Sequence, residues 1–281
     1  MTDFAGALLD PGFPFLRNAL LAGLLSSVLF GCLGSIVTVR RIAGLAGAVS
    51  HAVLGGIGMA LYLSASNLVP GFPPIAGALI FAALSALVIG LVSLRAKQRE
   101  DTVINAIWAI GMSVGVLFMA KTAGYTDPSS YLFGNILIIS SRDLILLGIL
   151  DAAVLLLTWR FYPQLEASAF DEEFARVRGV PVDVLFLVLL TVIALAVVLL
   201  QTFVGIVMVI AMLTLPAGTA GYFSRSLAGM MLAGCVFSGL FSAAGLFLGW
   251  VLDLPVGAVT VIAAGIVFLA VSAFTVFWGR K

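Results

Sequence analysis

Long apolar runs dominate the chain and are separated by short polar connections. Each run can form a helix of about 20 residues, which is the length that crosses the hydrocarbon core of a bilayer. The runs do not alternate apolar and polar positions in the manner of outer-membrane barrel strands. The pattern therefore predicts an all-α transmembrane bundle of about nine spans, with eight possible. The predicted spans are residues 16–39, 43–66, 73–95, 102–120, 142–162, 182–200, 203–222, 226–251 and 256–278.

The span 203–222 is the weakest of the nine, because Pro216 and Gly218 interrupt its helical pattern. Broken helices in membrane proteins occur where the backbone lines a cavity rather than where it faces lipid. Pro216 is therefore a candidate residue of a gate or transport pathway.

The composition supports an integral membrane protein. Of the 281 residues, 62% are hydrophobic and 10% are charged, whereas a soluble domain carries roughly a quarter charged residues. The formal net charge is only +1, whereas proteins that bind nucleic acid carry a basic surface. Two cysteines are too few for a disulfide scaffold. We expect residues 1–281 to form one transmembrane domain, without a cleaved signal peptide because the first residues lack a basic segment.

Basic residues are distributed unevenly between the two ends of the predicted bundle. Lysine and arginine near helix ends favour the cytoplasmic side. With the N-terminus outside and the C-terminus inside, only Arg17, Lys121 and Arg142 lie on the outer side. The other eleven lie on the inner side: Arg40, Arg41, Arg95, Lys97, Arg99, Arg160, Arg176, Arg178, Arg225, Arg280 and Lys281. The partition supports this orientation and an odd number of crossings.

Small residues recur at helical spacing in several spans. They are Ala48, Ala52, Gly56 and Ala60 in the second span, Gly111 and Gly115 in the fourth, and Gly245 and Gly249 in the eighth. Small residues at this spacing let helix backbones approach closely in lipid. We therefore expect tightly packed transporter helices rather than simple lipid anchors.

The largest inner loop predicts a short amphipathic helix at about residues 168–180. Acidic residues fill its first turn and basic residues its last, which complements the helix dipole, and Gly179 is expected to end it. Phe170, Phe174 and Val177 are predicted to share one face. An exposed apolar face on a cytoplasmic helix needs cover from a protein groove or from the membrane surface, and we favour a protein partner.

Four side chains inside the spans are considered as possible metal ligands. His51 is the only histidine, and histidine is the commonest metal ligand; the alternative is a histidine that packs between helices and bonds to a backbone carbonyl. Asp151, in the middle of the fifth span, is a second candidate for the ion path, or else makes a structural hydrogen bond or is protonated. Cys32 and Cys235 lie far apart in sequence and are interpreted as small buried hydrophobes.

Four stretches of sequence carry a resemblance to a known family. They are Arg40-Arg41 followed by Ser50-His-Ala-Val-Leu54; Tyr131-Leu-Phe-Gly134; Phe170-Asp171 with Ala175 and Gly179; and Val204-Gly205 continuing through Leu215-Pro216-Ala217 to Thr219-Ala220. In this order, from about Arg17 to Trp278, they resemble the membrane permeases of bacterial ATP-binding-cassette importers for zinc, manganese and iron.

The resemblance implies a homodimer in the bacterial cytoplasmic (inner) membrane, with the translocation path between the two copies. It also implies that a separate extracytoplasmic solute-binding protein delivers the metal and that two cytoplasmic ATPase subunits drive transport. The implied coupling residues are Phe170, Asp171, Ala175 and Gly179, to which we add Phe174 because it lies on the predicted apolar face. The chain has no Gly-x-x-x-x-Gly-Lys-[Ser/Thr] phosphate loop, so we expect no enzymatic activity and no cofactor beyond the transported divalent ion.

The resemblance favours His51 as a metal ligand. Many relatives carry an aspartate four residues earlier, one helical turn away, where this chain has Gly47. With Gly47 and Gly55 on its helix face, the His51 ring is expected to have open space on both sides, and two copies facing a dimer axis supply a pair of imidazoles. Gly47 is therefore a candidate pathway position, and the identity of the metal stays open.

Two other hypotheses remain open. A permease of the same type carries a metal chelate, such as a siderophore or a cobalamin, if the dimer cavity is wide and His51 faces away from it. An ion-coupled secondary transporter has no ATPase and uses Asp151 as its proton or sodium site.

Overall fold

A computed structural model of the protein describes residues 4–95, 100–122 and 139–278. This part of the chain contains eleven helices and no strand, which confirms the all-α class. The helices are α1 Phe4–Leu9, α2 Pro14–Val39, α3 Ala43–Ala65, α4 Pro74–Arg95, α5 Glu100–Lys121, α6 Ser141–Phe170, α7 Glu172–Val177, α8 Val182–Val204, α9 Ile206–Gly221, α10 Leu227–Leu252 and α11 Val256–Trp278. The motif Tyr131–Gly134 and the basic residues Lys97, Arg99, Arg280 and Lys281 lie outside the described residues.

Each of the nine predicted spans overlaps one of these helices, although α6 continues to Phe170 beyond its predicted end at 162 and α8 continues to Val204 beyond its predicted end at 200. Eight of them, within the described residues, are long and apolar enough to cross a membrane. The ninth, α9, has 16 residues, a length of about 24 Å at 1.5 Å per residue. A bilayer core is about 30 Å thick, so α9 is the short member of the bundle, as its sequence indicated.

The predicted interruption of this span at Pro216 and Gly218 is wrong. Helix α9 continues through both residues, and the break lies before it at Gly205, which has φ 81° and ψ 161°. Only glycine adopts this conformation readily, so Gly205 ends α8 and starts α9 without a loop. Pro216 removes one backbone donor, a loss that packing against neighbouring helices tolerates in membrane proteins.

Helix α3 lies at the centre of the packing, between α4, α5, α8 and α9. A Cβ atom on Gly55 would lie 2.8 Å from the carbonyl oxygen of Gly111 on α5. Gly58 approaches Gly115 in the same way, and Gly56 approaches Gly77 on α4. These contacts confirm the expected close approach of helix backbones.

Side-chain contacts define the two ends of the bundle. At one end, α7 lies beside the start of α8, and the backbone N–H of Ala228 at the start of α10 donates to the Tyr162 hydroxyl over 3.1 Å. The Tyr222 hydroxyl, just after α9, donates to Ser272 Oγ of α11 over 3.0 Å. At the other end, Asn18 Nδ2 near the start of α2 donates to the carbonyl oxygen of Ile139 over 3.0 Å.

Candidate functional site

His51 lies in the third turn of α3 and is enclosed, with 8% of its surface exposed. Its ring stacks on the indole of Trp108 from α5, with ring centroids 4.5 Å apart and an angle of 12° between the planes. The close crossing of α3 and α5 at their glycines brings Trp108 over the imidazole. His51 Nδ1 is buried without a hydrogen-bond partner in the described part of the chain, and a buried polar atom of this kind normally has one.

The space around His51 differs on its two sides. One turn earlier, a Cβ atom on Gly47 would meet nothing within 4 Å. One turn later, a Cβ atom on Gly55 would lie 2.8 Å from the Gly111 carbonyl oxygen and 2.9 Å from the Phe81 ring. The expectation of open space on both sides was therefore wrong for Gly55. Of these two glycines, Gly47 alone leaves space for a Cβ atom.

Asp151 lies in the middle of α6 and is buried, with 5% of its surface exposed. Neither carboxylate oxygen has a hydrogen-bond partner among the described residues. On the neighbouring helix α2, Cys235 of α10 approaches the residues just before Cys32: its Sγ lies 3.8 Å from the carbonyl oxygen of Val28, and the two thiols interact with each other. The two cysteines are therefore neighbours in space, a proximity between α2 and α10 that their separation in sequence concealed.

The structure does not assemble these groups into one metal centre within a single chain. Helix α6, which carries Asp151, packs on α2, α7 and α8, whereas α3, which carries His51, packs on α4, α5, α8 and α9. The described residues contain no group of three or more His, Cys, Asp or Glu side chains able to hold a metal ion.

Pro216 is buried in α9, which packs against α2, α3, α10 and α11. A Cβ atom on Gly34 of α2 would lie 2.5 Å from the carbonyl oxygen of Leu213, one turn before Pro216. The proline thus lies on a helix that contacts both α2 and the His51-bearing helix.

The inner-loop helix, α7, is shorter than predicted and comprises Glu172–Val177. Asp171 caps it, because its Oδ1 accepts a hydrogen bond from the backbone N–H of Phe174 over 2.9 Å. Ala175 is fully buried. Gly179 follows with φ 81°, a conformation that favours glycine. Each of the three motif residues therefore has a local structural role, and together they fix the position of α7.

The apolar side chains around α7 are exposed, as the sequence indicated. Phe174 is 51% exposed, Val177 is 88% exposed and Phe170 is 67% exposed. Phe170, however, is the last residue of α6, and Asp171 after it is extended, with φ −150° and ψ 97°. The prediction that Phe170 continues the same helix face as Phe174 was therefore wrong.

Two ion pairs join α7 to the membrane helices. Arg40 Nη2, just after α2, contacts Glu172 Oε1 over 2.5 Å, and only 4% of the Arg40 side chain is exposed. Its guanidinium also lies over the Phe186 ring of α8, 5.2 Å from the centroid. Arg176 pairs with Asp183 of α8, and this hydrogen bond raises the pKa of the exposed Arg176 guanidinium.

Sequence reasoning missed two features of this site. Trp108 gave no signal, because a single tryptophan in an apolar span resembles any membrane-facing aromatic residue. The basic pair Arg40-Arg41 was recognised, but its acidic partner Glu172 lies 132 positions later, and no periodicity links residues so far apart.

Comparison with known proteins places this arrangement in a family. The profile described as "ABC 3 transport family" matches residues 12–275. A "probable metal transport system membrane protein" of Chlamydia muridarum is 35% identical, over 91% of this chain and 87% of the relative. The "manganese transport system membrane protein" of Halalkalibacterium halodurans is 32% identical, over 95% of this chain and 89% of the relative.

A solved structure resembles the fold closely. A chain of PsaBC from Streptococcus pneumoniae, solved in complex with a Fab, superposes with a TM-score of 0.82 and is 30% identical. The similarity covers 95% of this chain and 94% of that chain. The likeness extends over nearly the whole bundle.

Proposed function

The chain belongs to the ABC 3 transport family, and on that premise we propose that it is the permease subunit of an ABC importer for a divalent transition-metal ion. The family match over residues 12–275 carries the proposal. The names of the relatives make manganese the first metal to test. The protein is an integral component of the bacterial cytoplasmic membrane, and a separate subunit hydrolyses ATP.

In this proposal the permease acts as a homodimer, with the ion path between the two copies and His51 as the metal ligand. The buried, unpartnered Nδ1 of His51 supports a ligand role. A single neutral imidazole binds a divalent cation weakly, and transport requires binding weak enough for the ion to be released. Two imidazoles, one from each copy, are the ligand set that we propose. Trp108 covers this ligand from α5.

Asp151 is the secondary candidate for the ion path. Its buried carboxylate has no hydrogen-bond partner among the described residues, and buried acids in membrane helices usually face protein or water. It lies on α6 rather than beside His51, so we assign it a position along the path and not a place in the same coordination sphere. Pro216 on α9 and Gly47 on α3 are the proposed pathway or gate residues.

We propose that α7 is the coupling helix and docks on the cytoplasmic ATPase. The exposed aromatic ring of Phe174 provides the anchor, Phe170 extends the apolar surface from the end of α6, and Asp171, Ala175 and Gly179 fix the position of α7. An extracytoplasmic solute-binding protein completes the importer. Residues 1–281 then form one transmembrane domain with α7 as its coupling element.

The proposed orientation has the N-terminus outside and the C-terminus inside. Helix α8 starts beside α7, and α10 starts beside Tyr162 in the same end region of the bundle. Helices α8 and α9 together must therefore carry the chain away from that end and back. This supports α9 as a ninth crossing despite its length, and the excess of basic residues at the α7 end supports the cytoplasmic side there.

The direct test is metal uptake by a complete importer. The permease, its ATPase and its binding protein are expressed in cells that lack their own manganese, zinc and iron importers, and metal content is measured by mass spectrometry. The proposal expects accumulation of one of these ions that requires an intact ATPase. Accumulation that persists with a hydrolysis-deficient ATPase would instead indicate an ion-coupled transporter.

A further inference from the structure

A cavity of about 410 Å³ opens at the end of the bundle where α7 lies. Its walls come from the ends of α2, α3, α4, α5 and α8 and from one side of α7. The volume falls in the range of small-molecule sites in proteins. The metal pathway proposed above does not use this cavity.

The polar lining of the cavity is mainly cationic. Arg40, Arg41 and Arg176 line it together with a single described acid, Glu172. Glu172 is neutralised by Arg40 Nη2, and Arg176 is neutralised by Asp183. One donor of the paired Arg40 guanidinium and one cation without an ion-pair partner among the described residues, Arg41, then remain for a ligand.

The first is Arg40 Nη1, which is buried without a hydrogen-bond partner among the described residues. The side chain that carries it is 4% exposed. A buried guanidinium donor in this state is costly unless an acceptor binds to it. Arg40 therefore brings to the lining of the cavity a guanidinium donor that has no acceptor in the described part of the chain.

The second is Arg41, which has no ion-pair partner in the described part of the chain. Its backbone has φ 58°, a left-handed conformation that glycine and asparagine adopt far more readily than arginine. Residues in strained backbone conformations cluster at binding and active sites. The conformation therefore supports Arg41 as a ligand-binding residue of this cavity.

The start of α3 adds positive potential to the same cavity. Gly44, in the first turn of α3, lines the cavity, and no side chain caps this helix end. The first backbone N–H groups of a helix lack intrahelical acceptors and attract anions; in α3 the N–H of Leu45 already donates to the Ile42 carbonyl oxygen over 3.0 Å, so the groups of Ala43 and Gly44 are the ones available. The first turn of α3 contains no acidic residue that would occupy them.

We propose that this cavity binds a phosphate group. The phosphate oxygens accept hydrogen bonds from Arg40 Nη1 and from Arg41, opposite the start of α3. Leu94, Ile104 and Phe186 supply apolar wall next to these cations. Apolar and cationic surface side by side suits an amphiphile, so the headgroup of an anionic phospholipid is favoured over soluble phosphate as the source.

The test compares lipid and phosphate binding by the purified permease–ATPase complex. In nanodiscs that contain phosphatidylcholine with or without phosphatidylglycerol, retained phosphatidylglycerol is measured by native mass spectrometry and the unfolding midpoint by thermal scanning. Inorganic phosphate is titrated separately into delipidated complex in detergent. Arg41→Asn removes the charge and suits the left-handed backbone, while Arg41→Lys keeps the charge. Arg225→Asn, an exposed arginine outside the cavity, is the matched control.

We expect the native complex to retain phosphatidylglycerol about tenfold better than Arg41→Asn, as for the loss of one charge-assisted contact. Arg41→Lys should retain most of the binding, and Arg225→Asn should match the native protein. The same order of variants with inorganic phosphate alone would assign the site to soluble phosphate. Equal binding of both ligands by the native protein and Arg41→Asn would overturn the proposal. Neither readout depends on metal transport, so failure here leaves the proposed function standing.

Discussion

Arg40 and Glu172 form an ion pair 2.5 Å long between the end of α2 and the first turn of α7. The connection from α2 to α3 consists of Arg40, Arg41 and Ile42. A displacement of α7 therefore acts directly on the residues that precede the helix of His51. The pair is a physical link between the proposed ATPase-docking helix and the proposed ligand.

Loss of this ion pair should uncouple hydrolysis from transport. Glu172→Gln leaves the largely buried Arg40 guanidinium without its partner, so α7 moves with less effect on α2 and α3. We expect the ratio of metal transported to ATP hydrolysed in proteoliposomes to fall about fivefold or more, the range of a typical coupling free energy. Glu173→Gln, one position later and on the same helix, is the control. An unchanged ratio in Glu172→Gln would remove the ion pair from the coupling route.

The exposed face of α7 should dock the ATPase through Phe174. Phe174→Asp places a charge where an aromatic anchor enters the partner's groove, and such anchors carry much of an interface's binding energy. We expect the variant to reach the membrane at normal yield and the affinity of the ATPase for it to fall about tenfold or more. Co-purification of ATPase with permease measures the effect.

Phe223→Asp provides the matched control for this experiment. Phe223 is 64% exposed at the same end of the bundle but follows α9 rather than lying on α7. It should retain the ATPase. Normal co-purification and transport by Phe174→Asp would show that docking uses another surface.

The orientation of the bundle can be tested with single cysteines. In a background in which Cys32 and Cys235 are replaced by alanine, Glu173→Cys and Arg225→Cys should react with an impermeant thiol reagent only after the cells are opened. Val69→Cys and Asp253→Cys should react in whole cells. The pair Arg225 and Asp253 flanks α10, and Glu173 and Arg225 flank the segment of α8 and α9. Labelling of position 225 from outside, with 173 protected, would mean that α9 does not cross.

A carboxylate at position 47 should tighten metal binding. A Cβ atom there meets nothing within 4 Å, so Gly47→Asp places an acid one helical turn before His51 without a clash at its Cβ. We expect about a tenfold increase in metal affinity, ~1.4 kcal/mol, with slower release. Equilibrium binding of manganese to the purified permease–ATPase complex measures it. Gly47→Asn has the same shape without the charge and should leave affinity near the native value; an equal gain in both variants would exclude ligation by the acid.

The sequence predicted the helices well because apolar runs of bilayer length leave few other structures. It erred where tertiary contacts decide the outcome. Proline in a helix interior usually ends or kinks the helix, but Pro216 is tolerated inside the packed bundle. The chain breaks instead at Gly205, where the backbone has a positive φ. Asp171 lies between two helices, as the last cap of α6 and the first cap of α7. Phe170 and Phe174 therefore belong to different helices.

The sequence identified individual residues of the candidate site but not the contacts between them. His51, Asp151 and the coupling motif could be selected from their residue types and positions. Their neighbours could not, because the stacking of His51 on Trp108 and the contact of Cys32 with Cys235 depend on which helices pack together. Glycines at the α3–α5 crossing indicated close packing but not the identity of the partner helix.

The central claim is that His51 binds the transported metal. Two variants separate ligation from packing. His51→Ala removes the imidazole, and His51→Phe keeps an aromatic ring that can stack on Trp108 but has no ligating nitrogen. The phenyl ring also leaves no unpaired buried nitrogen, so the fold should not suffer.

Metal content of cells that lack other importers, measured by mass spectrometry while co-purified ATPase confirms assembly, is the most direct test. We predict that His51→Ala and His51→Phe both abolish metal uptake while the permease–ATPase complex still assembles. Normal uptake by an assembled His51→Phe importer would contradict the claim, return His51 to a packing role and favour transport of a metal chelate.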